Sequence, residues 1–121
     1  MFPSLKDNAL CALLDIDLPI ILSPMFLVTN EAMVLAAIKA GGTAAIPAHN
    51  FRKVDEFREA LVRLKKEADG PFGVNLITHK SNVYLKNQFQ VCVEVGVDFI
   101  ITALGSPTDI IQKAHAKGIK V

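Results

Sequence analysis

Three kinds of residue in this 121-residue chain could do chemistry or hold something that does. The first is an asparagine. "PFGVNLI" runs from Pro71 to Ile77, and Asn75 sits inside it among apolar neighbours. Burying an amide without a partner costs about 1–3 kcal/mol. Asn75 is therefore satisfied either by nearby backbone or by something polar that is not protein. The second kind is a pair of histidines, His49 and His79, each just beyond an apolar run of strand length. An imidazole titrates near neutrality and can serve as an acid or base; the plain alternative is a solvated loop residue. The third kind carries no charge: Ser23-Pro24-Met25, Gly41-Gly42 and Leu104-Gly105, each beside an apolar run. Glycine lets a ligand or another backbone approach closely. Methionine offers a soft apolar surface, although core packing is its commoner use. His115 falls in the last turn of a helix pattern, where a cation complements the dipole. The chain has no Walker phosphate loop, no Gly-x-Gly-x-x-Gly and no Ser-His-Asp logic.

The elements that must position these groups follow from periodicity. "IDLPIILSPM" places a strand at about Ile20–Ser23, ended by Pro24. "TNEAMVLAAIKAGG" reads as a helix that Thr29 or Asn30 can cap and Gly41 can stop in a left-handed turn. "TAAIPA" is a second strand, stopped near Pro47. In "KVDEFREALVRLKKEADG", Val54, Phe57, Leu61 and Leu64 share one face of a helix and the charges fall elsewhere. Gly70-Pro71 breaks it, and "FGVNLI" is strand three. Ser81 then caps a helix with apolar Leu85, Phe89, Cys92 and Val93. "VDFIITAL" is strand four; Ser106 caps the next helix, with Pro107 at its first position. Gly118 closes that helix, and "IKV" opens a fifth strand.

Repeated strand-helix units imply a parallel α/β sheet, each helix being the crossover to the next strand. Two architectures fit: an open doubly wound sheet, or the first half of an eight-stranded barrel. Strand three separates them. Phe72, Val74 and Leu76 share one face; Gly73 and Asn75 share the other. A small, polar inward face suits a barrel with a ligand at the carboxyl end of its strands.

Composition limits the function classes. The chain is 51% hydrophobic and 21% charged, which is globular and not disordered. A net charge of +1, with no basic cluster, offers no footprint for nucleic acid. Cys11 and Cys92 have no metal-ligand spacing and read as reduced core thiols, which favours the cytoplasm. The first residues lack the pattern of a signal peptide, and no apolar run approaches the roughly 18 residues of a membrane span.

"PIILSPM", "AGGTAAIPA", "GPFGVNLI", "FIITALGSP" and "GIKV" follow one another at strand after strand. From about Leu18 to Val121 this resembles the amino-terminal part of the nitronate monooxygenase family, formerly 2-nitropropane dioxygenases. It is also similar to the related FMN-dependent enoyl-acyl-carrier-protein reductases. The resemblance implies a TIM barrel with FMN at the carboxyl ends of the strands and a small-molecule substrate. It places Ser23, Pro24 and Met25 along the flavin ring, where the family has Ala-Pro-Met. It makes Asn75 a flavin ligand and Gly42 a flavin-side backbone contact. The family continues Leu-Gly where this chain has Thr43-Ala44. Leu104 and Gly105 match a loop on the substrate side, and His49 and His79 lie on the same face. Neither histidine matches the family's catalytic position, which lies beyond strand five, so the catalytic residue is unassigned.

A TIM barrel takes about 200–250 residues, so residues 1–121 are expected to form a partial FMN-binding barrel domain, strands one to four and the start of strand five. The family's phosphate site follows strands seven and eight, so the isolated chain is expected to bind FMN weakly and to be inactive alone. Open half-barrel edges also imply self-association. The alternative from another class is a complete flavodoxin-like or receiver-like module. It would want a hydroxyl-rich loop or acidic residues where the chain has Ser23-Pro24-Met25.

Overall fold

Apolar runs too short for helices, separated by glycine and proline stops, give short strands between longer amphipathic helices. The computed structural model describes Leu5 and residues 7–121; the first residues of the segment read above as lacking a signal peptide lie outside the described residues. In chain order the elements are α1 (Ala9–Leu14), β1 (Ile21–Leu22), α2 (Glu31–Lys39), β2 (Thr43–Pro47), α3 (Val54–Glu67), β3 (Gly73–Ile77), α4 (Leu85–Val95), β4 (Phe99–Ala103) and α5 (Thr108–His115). A 3-10 turn, Ala48–Asn50, follows β2.

The strands are parallel and lie side by side in sequence order, β1-β2-β3-β4. That order rules out the flavodoxin-like or receiver-like alternative. A doubly wound sheet reverses its order and carries helices on both faces, whereas here α2 to α5 all pack on one. Ala44, Ile46, Val74, Leu76 and Ile100 point to that helical side and form one core with Val34, Phe57, Leu61, Leu64, Val91, Ile110 and Ala114. Each valine, leucine, isoleucine or phenylalanine among them taken fully out of water contributes about 1.5–3 kcal/mol. Lys120 continues the pattern by bridging in parallel to Phe99, with the Ile100 N–H donating to its carbonyl at 2.8 Å.

The opposite, inner face has its own smaller core. Ala45 and Phe99 pack there with Cys11, Leu14 and Ile16, joined by Ile21 and Ile101. The amphipathic α1 thus covers the amino-terminal half of the inner face, a role its sequence alone does not announce.

Local expectations shift in three places. The first strand is shorter than Ile20–Ser23. Ser81 does not cap α4; buried Asn82 organises that entry, donating to the Ile77 carbonyl and to Gln88 Oε1 while accepting from the Tyr84 N–H. Ser106 does not close a strong cap on α5, which begins after Pro107, one position later than expected. Gly41 takes the left-handed φ of +102° that its helix-stopping role needs. Exposed ion pairs tie the helices: Arg63 is bidentate to Glu31 across α3 and α2, and Arg58 joins Glu94 on α4. Each carboxylate raises the pKa of its guanidinium, chiefly through the hydrogen bond.

Candidate functional site at the carboxyl ends of the strands

Alternation along β3 puts Asn75 on the inner face, in register with Pro47 of β2 and Ile101 of β4. Its Nδ2 donates to the Ile101 carbonyl at 2.9 Å. Backbone therefore takes one of the two Nδ2 hydrogens, without any ligand. Among the described residues nothing donates to Oδ1, and the side chain is half-buried, so the acceptor half faces the open part of the sheet. The inner face is graded. Ala45, Gly73 and Phe99 at its amino-terminal half are buried, while Asn75, Ile77, Ile101 and Ala103 nearer the carboxyl ends are half-buried.

Gly73 corrects one expectation. Its small size does not leave room for a ligand. A Cβ there would lie 2.3 Å from the Phe99 ring, so the space is already filled by protein. Gly42 is similar: a Cβ would meet the Ile20 carbonyl at 2.8 Å, so chain packing demands the glycine whatever else approaches.

The loop after β1 is held by residues whose positioning role periodicity does not show. Thr29 is fully buried. Its Oγ1 donates to the Ser23 carbonyl at 2.7 Å and accepts from the Met25 N–H at 2.9 Å. Asn50, on the turn after β2, accepts from the Leu27 N–H through Oδ1 at 2.7 Å and donates through Nδ2 to the Thr29 carbonyl at 2.8 Å. Asn30, not Thr29, caps α2 by accepting from the Met33 N–H. The loop exposes a run of apolar side chains: Met25, Phe26, Leu27 and Val28 are 38%, 61%, 69% and 54% accessible. Pro24 is half-buried. Ser23, Met25 and Gly42 share an apolar groove of about 490 Å³ along β1, with Ile20, Ile21 and Ala37.

Two other loops meet. Thr78 Oγ1 donates to the Leu104 carbonyl at 2.9 Å, and Gly105 lies against the backbone of His79 and Thr78. A Cβ on Gly105 would fall 3.0 Å from His79 Cα. The structure therefore brings His79, Leu104 and Gly105 together. The Ser81 N–H points at His79 Nδ1 (3.2 Å), with Ser81 Oγ at 2.9 Å. A backbone N–H can only donate, so in this contact Nδ1 of the exposed ring is the acceptor and Nε2 is left to face outward as a donor. Leu104, 68% accessible, adopts a positive φ of 57°. His49 belongs to a different loop, the turn after β2; its Nδ1 is buried and lacks a hydrogen-bond partner among the described residues. His115 is exposed on α5.

The thiols lie in the packed cores and not among the loops at the carboxyl ends. Burial pushes Cys92 up to about 12, which leaves it protonated and unreactive at neutral pH. Cys11 is buried in the α1 core, and neither cysteine is in a disulfide. Among the described residues no cluster of histidine, cysteine or carboxylate could hold a metal, and no helix is long and apolar enough to cross a membrane.

Four βα units in sequence order, with helices outside and polar and apolar loops gathered at the carboxyl ends, define part of a parallel βα barrel. The chain is similar over its whole length to FabK from Thermotoga maritima, with 28% identity and a TM-score of 0.86, and it spans 37% of that chain. A point variant of the same protein matches at 27% identity and a TM-score of 0.82, with 39% of its length covered. The chain therefore resembles part of FabK in fold and sequence. No protein-family model and no curated protein matches it.

Proposed function

We propose that this chain supplies the ring-facing side of an FMN site in an oxidoreductase of the nitronate-oxidising kind. One observation carries the reading. Asn75 is oriented by its bond to Ile101 and leaves Oδ1 free on the open half of the inner face. An acceptor so fixed suits a planar heterocycle with ring N–H groups. The exposed side chains of Met25 and Phe26, on the loop after β1, supply apolar surface of the kind a flat aromatic ligand requires. Ser23 and Pro24 belong to the same loop. Gly42 contributes only by letting β1 and β2 lie close.

The chemistry supplied by bound FMN is electron transfer from an alkyl nitronate to molecular oxygen. The chain's own part is to bind, orient and exclude water. His79 presents an Nε2–H that can donate to an oxygen of a small-molecule substrate, and Leu104 and Gly105 form the adjoining wall. His49 stands on a neighbouring loop of the same face. The likeness to FabK favours a second reading, NAD(P)H-driven reduction of an enoyl thioester at the same site.

Flavin fluorescence tests the first step. Titration of FMN with the chain should give saturable quenching, and Asn75→Leu should weaken it about five- to tenfold, the worth of one hydrogen bond. Absence of saturation, or equal affinity in the variant, refutes the assignment. In a protein that carries this segment within a complete barrel, oxygen uptake with ethylnitronate, set against NAD(P)H consumption with an enoyl thioester, separates the two activities.

A further inference from the structure

The loop from Ser23 to Thr29 is tied more firmly than the helix that follows it requires. Asn30 already caps α2, so Thr29 is not needed for the cap. Yet Thr29 is fully buried, and its hydroxyl bridges the backbone at Ser23 and Met25. Asn50 reaches from another loop to hold Leu27 and Thr29 with both ends of its amide. Between those bonds Leu27 adopts a φ of +60°, a conformation unfavourable for a residue with a Cβ. Its side chain is 69% accessible, so little packing offsets that conformation. Strain of this kind persists only where the surroundings over-determine it.

We propose that Thr29 and Asn50 are positioning residues that clamp this loop so that Met25 and Phe26 hold a fixed apolar face toward the flavin ring. This rests on the function proposed above and goes beyond it in one specific way. The N–H groups of Met25 and Leu27 are consumed by the clamp and those of Val28 and Thr29 by the Met25 carbonyl, which leaves the Phe26 N–H as a donor without an acceptor among the described residues. With a single N–H left at Phe26, the loop contacts its ligand mainly through apolar side chains, a surface that suits the face of a flat ring better than a phosphate or a carboxylate, which would need several converging donors.

The test pairs amide hydrogen exchange, resolved by residue, with FMN titration of the same proteins. Asn50→Ala should speed exchange at Leu27, and Thr29→Val at Met25, each at least about tenfold. Thr29→Ser, which keeps the hydroxyl, should restore the slow exchange at Met25. FMN affinity should fall about fivefold or more in Asn50→Ala and Thr29→Val and recover in Thr29→Ser. Leu27→Gly removes the left-handed penalty and should recover part of the affinity lost in Asn50→Ala. Faster exchange with unchanged FMN affinity overturns the positioning role. Unchanged exchange overturns the clamp itself. Should the unmodified chain bind no FMN, the proposed function and the flavin-positioning role fall together, and the exchange rates alone then decide whether the clamp exists. Inorganic phosphate serves as the contrasting probe: resonance shifts at the Met25, Phe26 and Leu27 amides on adding it would contradict the preference for a flat ring.

Discussion

Replacing Gly73 with alanine puts a methyl group where the Phe99 ring already lies. An ideal Cβ at position 73 falls 2.3 Å from Cε2, 2.5 Å from Cδ2 and 2.6 Å from Cζ of that ring. Ordinary carbon contacts are about 3.5–4.0 Å, so one group must move by more than about an ångström. The ring has nowhere to go. Phe99 is 4% accessible and is wedged against Cys11, Leu14, Ile16 and Ala45. Overpacking of this kind costs about 1–3 kcal/mol. Losing a glycine from a strand returns about 0.5–1 kcal/mol of backbone entropy. A net loss of about 2 kcal/mol follows from the upper half of that range. With about 2.1 cal/mol/K of unfolding entropy per residue, a chain of 121 residues has about 250 cal/mol/K, so Gly73→Ala should lower Tm by about 8 °C. Calorimetric melting reads this directly. Phe99→Leu removes the clashing ring atoms, so the double variant should lose about 1 kcal/mol less than the sum of the single losses. A Tm within about 2 °C of the parent, or strictly additive losses, would falsify the claim that Phe99 occupies the Gly73 space.

Other consequences concern the thiols and the sheet edge. The folded state holds the Cys92 proton up to about pH 12, while the unfolded thiol loses it near 9.0. Stability from this group is therefore fully present below pH 9.0 and falls as pH rises from there to about 12, by about 1.4 kcal/mol per pH unit. Urea melts across that window should show the decline, and Cys92→Ala should lack that component; an identical slope in the variant contradicts the burial argument. At pH 8 a thiol reagent should label neither cysteine until denaturant is added, since both are buried; prompt labelling of Cys92 would be inconsistent with its environment. The free edge of β1 and the apolar groove beside it should make the chain self-associate at high concentration. Light scattering should find larger species that Ile20→Lys, at a 59% accessible edge position, reduces; a parent that stays monomeric to millimolar concentration rules this out.

The order of elements was legible because its signals are local. Gly41 and Gly118 take the positive φ expected where helices stop, and the alternation of "FGVNLI" places Val74 and Leu76 among the helices with Asn75 opposite. What escaped the sequence depended on partners distant along the chain. Gly73 read as room for a ligand because nothing nearby in sequence shows that Phe99, on the next strand, fills it. Thr29 and Asn30 are equivalent candidates for a helix cap; only the arrival of Asn50 from the next loop gives Thr29 its second role. Ser81 was the obvious cap by type, but its hydroxyl is engaged by His79, and Asn82 organises the entry to α4 instead. The amphipathicity of α1 shows that it must cover something, not that it covers the barrel side of the sheet. Asn75 was half legible. Its unusual place calls for a partner, and the structure supplies one for a single Nδ2 hydrogen while leaving the acceptor without a donor among the described residues.

An amide-resolved NMR titration of the chain with FMN tests the central claim most directly. Resonance changes should concentrate on the Asn75 side chain, on Met25 and Phe26, and on Leu104 and Gly105, and should leave the outer faces of α3 and α4 untouched. Changes confined to those helices, or an Asn75 amide that does not move at saturating FMN, would contradict the account.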